Sequence, residues 1–147
     1  MSIPKFQIPK KPFYSYLELP KELEFWELFR SFEKQFDTCF LLESAGENQY
    51  DSRYSVIGFD PKHTIIGNIG TLEIDGKSYS VENPYYELRN IANFDSLSIS
   101  YAGGLVGYLS YNSMQFFEPK LKITSHPDFP AMEFGLYLDG LIYDKFT

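Results

Sequence analysis

Short apolar runs closed by turn-forming residues dominate the middle of this chain, and they leave room for strands but not for long helices. The run Cys39-Phe40-Leu41-Leu42, within residues 38–43, is too short for a helix and reads as a buried strand. Gly46, Asn48, Asp51 and Ser52 make residues 44–52 a loop, after which Tyr54–Phe59 is a second strand that Asp60 and Pro61 end. Residues 64–67, Thr71–Ile74 and residues 77–81 then read as a three-stranded meander. Asp75-Gly76, between its last two members, is the favoured signal of a type I′ hairpin.

Helices are confined to two stretches. In residues 21–36 the apolar Phe25, Leu28, Phe29, Phe32 and Phe36 recur mainly at spacings of three and four, which predicts a helix docked on a sheet. Pro84–Ile91 is a second, with Asn83 as its cap and Pro84 at its first position. Residues 14–19 read as a short strand stopped by Pro20. Residues 98–117 are strand-like, and their glycines, Gly103, Gly104 and Gly107, mark bulges or a backbone that something approaches closely. Residues 119–130 are irregular, and residues 131–143 close the chain as one or two strands. The predicted class is α+β, mainly antiparallel sheet with two or three packed helices. At 147 residues the expectation is a single domain, residues 1–147, with enough length to bury roughly 70% of its unfolded surface.

Composition removes several functions. With 13 Lys and Arg against 20 Asp and Glu, the formal charge is −7 and opposes attraction to phosphate backbones, so no nucleic-acid partner is expected. Cys39 is the single cysteine, which excludes a disulfide framework and a multi-cysteine metal site and makes a reducing cytosol the default. No secretory signal and no apolar run near the ~20 residues that cross a bilayer are present, so no membrane partner is expected either. The 14 Phe, 12 Tyr and one Trp are unusual, and such rings pack cores and line pockets for flat ligands.

Catalytic groups are scarce. Nucleophilic triads need a base oriented by a carboxylate. His63 and His126, however, read as surface histidines, and Cys39 as a core thiol. Gly103-Gly104-Leu105-Val106-Gly107 lacks the following Lys-Ser/Thr and the helix start that a phosphate cradle needs. More telling is the strand that ends in Glu43-Ser44 and returns nine residues later through Arg53. Those groups suit a zwitterion with a flat apolar body, its ammonium on Glu43 or Ser44 and its carboxylate on Arg53. An equally simple reading pairs Glu43 with Arg53 across the hairpin.

At these residues the sequence resembles the N-terminal domain of the anthranilate synthase component I family. The likeness runs through Leu41-Leu42-Glu43-Ser44, Arg53-Tyr54-Ser55-Val56-Ile57-Gly58 and Asp60-Pro61. It continues at Gly103-Gly104-Leu105-Val106-Gly107-Tyr108-Leu109-Ser110-Tyr111, Phe117-Glu118, Phe129-Pro130 and Tyr143-Asp144. The resemblance implies that Leu42, Glu43 and Ser44 belong to a feedback site for L-tryptophan, with Arg53 as its basic group and Gly104, Tyr108 and Tyr111 as secondary members. Asn112 departs from the pattern, which often has Asp there.

The resemblance also implies that the chemistry lies elsewhere. In the family, chorismate, Mg²⁺ and the acid–base residues belong to a larger C-terminal domain, so this chain alone is expected to be inactive, without catalytic residues or a cofactor of its own. The implied partners are that domain, L-tryptophan as inhibitor, and the glutamine amidotransferase subunit, component II. The implied setting is tryptophan biosynthesis in the cytoplasm. Two other readings fit: the N-terminal domain of aminodeoxychorismate synthase component I in folate synthesis, and a stand-alone ligand-binding module.

Overall fold

Asp75 and Gly76 take φ angles of 50° and 78°, as a type I′ turn requires, and the hairpin they close lies in one of two antiparallel sheets. The computed structural model describes residues 2–6, 13–20, 22–44, 52–91, 103–124, 126 and 128–146. In chain order its elements are α1 (Phe25–Glu33), β1 (Cys39–Glu43), β2 (Tyr54–Phe59), β3 (His63–Asn68), β4 (Thr71–Ile74), β5 (Lys77–Ser80) and α2 (Pro84–Ile91). They continue with β6 (Gly104–Leu109), a 3-10 helix (Tyr111–Phe116), β7 (Met132–Tyr137) and β8 (Gly140–Asp144). Three strands form one sheet in the order β1-β2-β8, and five form the other in the order β5-β4-β3-β7-β6. The α+β class therefore holds, with the sheet content divided in two.

Burial follows from these positions. Ser55, Val56, Ile57 and Gly58 are all buried, because β2 is the central strand of its sheet and is covered on both faces. On the larger sheet Ile65, Leu72, Ile74 and Met132 form the main core with Ile91 of α2 and Phe116 of the 3-10 helix. Asn83 fixes that arrangement. Its Oδ1 accepts the N–H groups of Tyr85 at 3.0 Å and Tyr86 at 3.4 Å, and its Nδ2 donates to the Phe116 carbonyl at 2.6 Å. The helix α1 lies on the smaller sheet, with the Phe25 ring stacked 5.2 Å from Tyr143 and Phe32 and Phe36 against Phe59 at 4.7 and 4.9 Å.

Four local readings change. The strand β1 forms where expected but is not a buried one, because it is the edge of its sheet. Residues 14–19 form no strand; Tyr16 and Leu17 are 96% and 79% exposed, and an extended segment without a neighbouring ladder is not a strand. The first helix spans Phe25–Glu33 and not the longer stretch its apolar spacing suggested. The fourth change is at residues 98–117, of which residues 98–102 lie outside the described residues. The strand β6 stops at Leu109 because its partner β7 begins at Met132, two residues after Pro130, and the chain turns into the 3-10 helix instead. The glycine reading holds: a Cβ at Gly107 would overlap the backbone carbonyl of Glu133, and Gly103 has φ 84°.

Two outcomes follow for stability. Gly107→Ala must push β6 from β7 and should cost about 1–3 kcal/mol in urea unfolding, against about 2–5 for the cavity left by Leu72→Ala in the core; an unchanged midpoint for Gly107→Ala would refute that close approach. The second outcome concerns acid. The Asp75 carboxylate accepts the Thr64 N–H at 2.9 Å and lies 2.7 Å from His63 Nδ1. Burial pushes its pKa up, but these hydrogen bonds and the nearby imidazole outweigh burial and hold it below the ordinary value. A depressed folded pKa gives stability that is present above the unfolded value of about 4 and is lost as pH falls through the folded value. Asp75→Asn, which keeps the turn chemistry, should flatten stability between pH 5 and pH 3 (roughly the titration range of a carboxylate), as read by urea unfolding across that range.

Candidate functional site

One end of the three-stranded sheet gathers the charged residues. The antiparallel register sets Glu43 opposite Ser55, and Ser55 opposite Tyr143, so these three share the face on which α1 lies. Leu42, Val56 and Ile142 form the next row and point to the opposite face. Leu42 is 52% exposed, since it sits near the end of an edge strand.

The ion pairs here run to β8 and its exit rather than across the β1–β2 hairpin. Arg53 Nε donates to Asp144 Oδ1 and Oδ2 at 3.0 and 3.1 Å, and Nη2 donates to Oδ2 at 2.7 Å. The hydrogen bond to Asp144 raises the guanidinium pKa further, and burial opposes it only in part. Its carbon stands 5.0 Å from the Tyr54 ring centre. Glu43 Oε1 instead accepts the hydroxyl of the fully buried Ser55 at 3.1 Å and faces Lys145 Nζ at 3.2 Å. Lys145 Nζ also donates to the Ser44 carbonyl at 3.2 Å, and its backbone N–H donates to the Arg53 carbonyl at 2.9 Å. A pairing of Glu43 with Arg53 is thus replaced by two pairs, each to a residue at the far end of the chain.

The anticipated residues separate into two places. Glu43, Ser44 and Arg53 come together at this lip, and Leu42 belongs to the same strand end but points to the opposite face. Gly104 and Tyr108 lie on β6, the edge strand of the other sheet, and Tyr111 begins the 3-10 helix that follows it. Tyr108 donates its hydroxyl to Glu133 Oε2 at 3.0 Å, and burial, with that bond, raises its pKa. Tyr111 is 80% exposed and lines an open groove of about 540 Å³ with Ile123, the exposed Phe129 and the buried Asn112. Sequence reasoning missed Asp144 and Lys145 as members of the lip. They stand 91 and 101 residues from their partners Arg53 and Ser44, and only the strand register reveals the proximity.

Other reactive groups are occupied or dispersed. His63 is bound to Asp75 and stacks on Phe6 at 3.8 Å, while His126 lies exposed beside Asp128. Burial, with Glu33 nearby, raises the Cys39 thiol pKa and makes it less reactive. Among the described residues no group of three His, Cys, Asp or Glu side chains could hold a metal ion, and no helix is long and apolar enough to cross a membrane.

Comparison with known proteins adds a context that geometry lacks. No family model matches the chain. Anthranilate synthase component 1 of Leptospira biflexa is 69% identical over 146 residues, which cover 99% of this chain and 32% of that protein. The protein of the same name from Methanothermobacter marburgensis is 38% identical over 140 residues, covering 89% of this chain and 30% of its own. The chain therefore spans about a third of the length of the curated relatives it matches. Among solved structures, the crystal structure of anthranilate synthase component I from Streptococcus pneumoniae TIGR4 superposes with a TM-score of 0.53 at 22% identity, over 71% of this chain and 23% of that one, and so shares the fold. A match of 69% along almost every residue, with the same two-sheet fold in a solved relative, makes this chain a member of the anthranilate synthase component I family.

Proposed function

We propose that this chain is the tryptophan-sensing regulatory domain of an anthranilate synthase component I, a lyase that with glutamine or ammonia converts chorismate to anthranilate and is inhibited by the end product of its pathway. The observation that carries the reading is the lip itself. Glu43, held by Ser55, offers a carboxylate to an α-ammonium, and Arg53 offers a guanidinium to an α-carboxylate, while Leu42 is exposed on the opposite face of the same strand end. Asp144 engages Nε and Nη2 of Arg53, and among the described residues no acceptor is bonded to Nη1, a donor that could serve a ligand. The relatives named anthranilate synthase component 1 support the pathway.

Chorismate, its Mg²⁺ and the acid–base groups belong in this proposal to the larger C-terminal domain of the whole protein, and the amino group comes through a glutamine amidotransferase subunit, component II. Inhibition is then a coupling free energy. Tryptophan binds better to the arrangement of the two domains that turns chorismate over poorly, and its binding shifts the population toward that arrangement.

In the whole enzyme, Glu43→Ala should raise the tryptophan concentration for half-inhibition about tenfold, the worth of a charge-assisted hydrogen bond, and Ser44→Ala a few-fold. Uninhibited turnover should stay nearly intact; an equal loss of turnover would remove these residues from the regulatory site. Titration calorimetry should show tight tryptophan binding by the whole protein and weak or undetectable binding by residues 1–147 alone, because the pocket is shared with the second domain. Equal affinity in the two would contradict that sharing.

A further inference from the structure

The ammonium of Lys145 already stands where the ammonium of an amino acid would have to go. Its Nζ lies 3.2 Å from Glu43 Oε1 and donates to the Ser44 carbonyl at 3.2 Å, the two acceptors that the end of β1 presents. A lysine ammonium and an α-ammonium have the same charge and the same three donors, so they cannot both hold that position. The Lys145 backbone is tied by its N–H to the Arg53 carbonyl at 2.9 Å, and the preceding residue, Asp144, is held by Arg53. Only the flexible side chain is free to leave.

We propose that Lys145 is a placeholder for the ligand's ammonium, and that the lip recognises a free α-amino acid by exchanging ion-pair partners. The incoming ammonium takes Glu43 and the Ser44 carbonyl, and the displaced Lys145 moves to the incoming carboxylate. Every charge keeps an opposite neighbour throughout the exchange. A ligand that carries an ammonium but no carboxylate displaces Lys145 and leaves it without a counterion; a ligand that carries only a carboxylate gives Glu43 nothing to exchange. The lip therefore selects zwitterions, and Lys145 is the residue that sets this selectivity. This inference rests on the tryptophan-binding reading above.

The test compares tryptophan with tryptamine, which has the same ring and ammonium but no carboxylate, on the full-length protein by calorimetry. The wild type should prefer tryptophan strongly. In Lys145→Met tryptamine no longer has to displace a cation and tryptophan loses a carboxylate partner, so the preference should shrink about tenfold, while Lys145→Arg should keep most of it. If the wild type binds tryptophan and Lys145→Met leaves the preference unchanged, the placeholder role is wrong and the regulatory site survives. If Lys145→Arg loses the preference as fully as Lys145→Met, charge exchange is not the basis of selection and the proposal fails. If the wild type binds neither compound, the binding site itself is wrong and the placeholder goes with it.

Discussion

A single bent antiparallel ribbon holds both sheets together. One arm is β2 followed by β3, and the other is β7 followed by β8. Tyr54 to Gly58 pairs with Asp144 back to Gly140, and His63 to Gly67 pairs with Leu136 back to Met132. Between the two ladders four residues, 59–62, face three, 137–139. One extra residue on one arm bends a ribbon and increases its local twist. Here Asp60 takes φ 49°, and the Lys62 N–H returns to the Leu136 carbonyl at 2.7 Å. Every other strand is a local addition: β1 on β2, β4 on β3 and β5 on β4, β6 on β7.

The lip is one end of that ribbon. Arg53, Tyr54, Asp144 and Lys145 meet because the ladder brings them there, so their placement does not depend on the strength of their own ion pairs. Those pairs are partly exposed, with Arg53 at 42% and Glu43 at 50%, and exposed pairs contribute little to stability. The buried part is different. Ser55 is fully enclosed, and its hydroxyl has one carboxylate oxygen to satisfy it. The backbone and Ser55 therefore fix the Glu43 carboxylate, while the Lys145 ammonium beside it can be exchanged at low cost.

What was legible in the sequence is what is decided locally. The Asp75-Gly76 turn, the Asn83 cap and the breaks at Asp60-Pro61 each follow from the conformational freedom of a few neighbouring residues, and Gly107 showed as a glycine inside an apolar strand, although what approaches it, the Glu133 backbone of β7, is distant in sequence. The pairing of β2 with β8 was not legible, because no local pattern records a register across about ninety residues. The run from Ser55 to Gly58 is buried on both faces and so shows no alternation to orient it. The same gap misdirected the charges: Glu43 and Arg53 are near in sequence and looked like partners, whereas each is satisfied from β8 and Lys145. Residues 14–19 failed for the opposite reason, since a suitable local pattern met no neighbouring strand among the described residues.

The abundance of rings acquires a structural reason at the corner of the ribbon. A Cβ on Gly58 would collide with the ring of Phe40, and one on Gly135 would come within 2.9 Å of both the Tyr137 ring and Pro61. Each ring thus lies over a glycine, and the two rings meet edge to face with centres 4.8 Å apart. Phe40 belongs to the smaller sheet and Tyr137 to the larger, so this pair fills the space that the bend opens between them. Large rings over bare backbone pack at the density of a protein interior, where smaller side chains over β-carbons would leave voids. Tyr137 is 3% exposed, and burial raises its phenol pKa. Neither glycine needs a left-handed backbone, so at these two positions glycine is required for the space above it and not for its conformation.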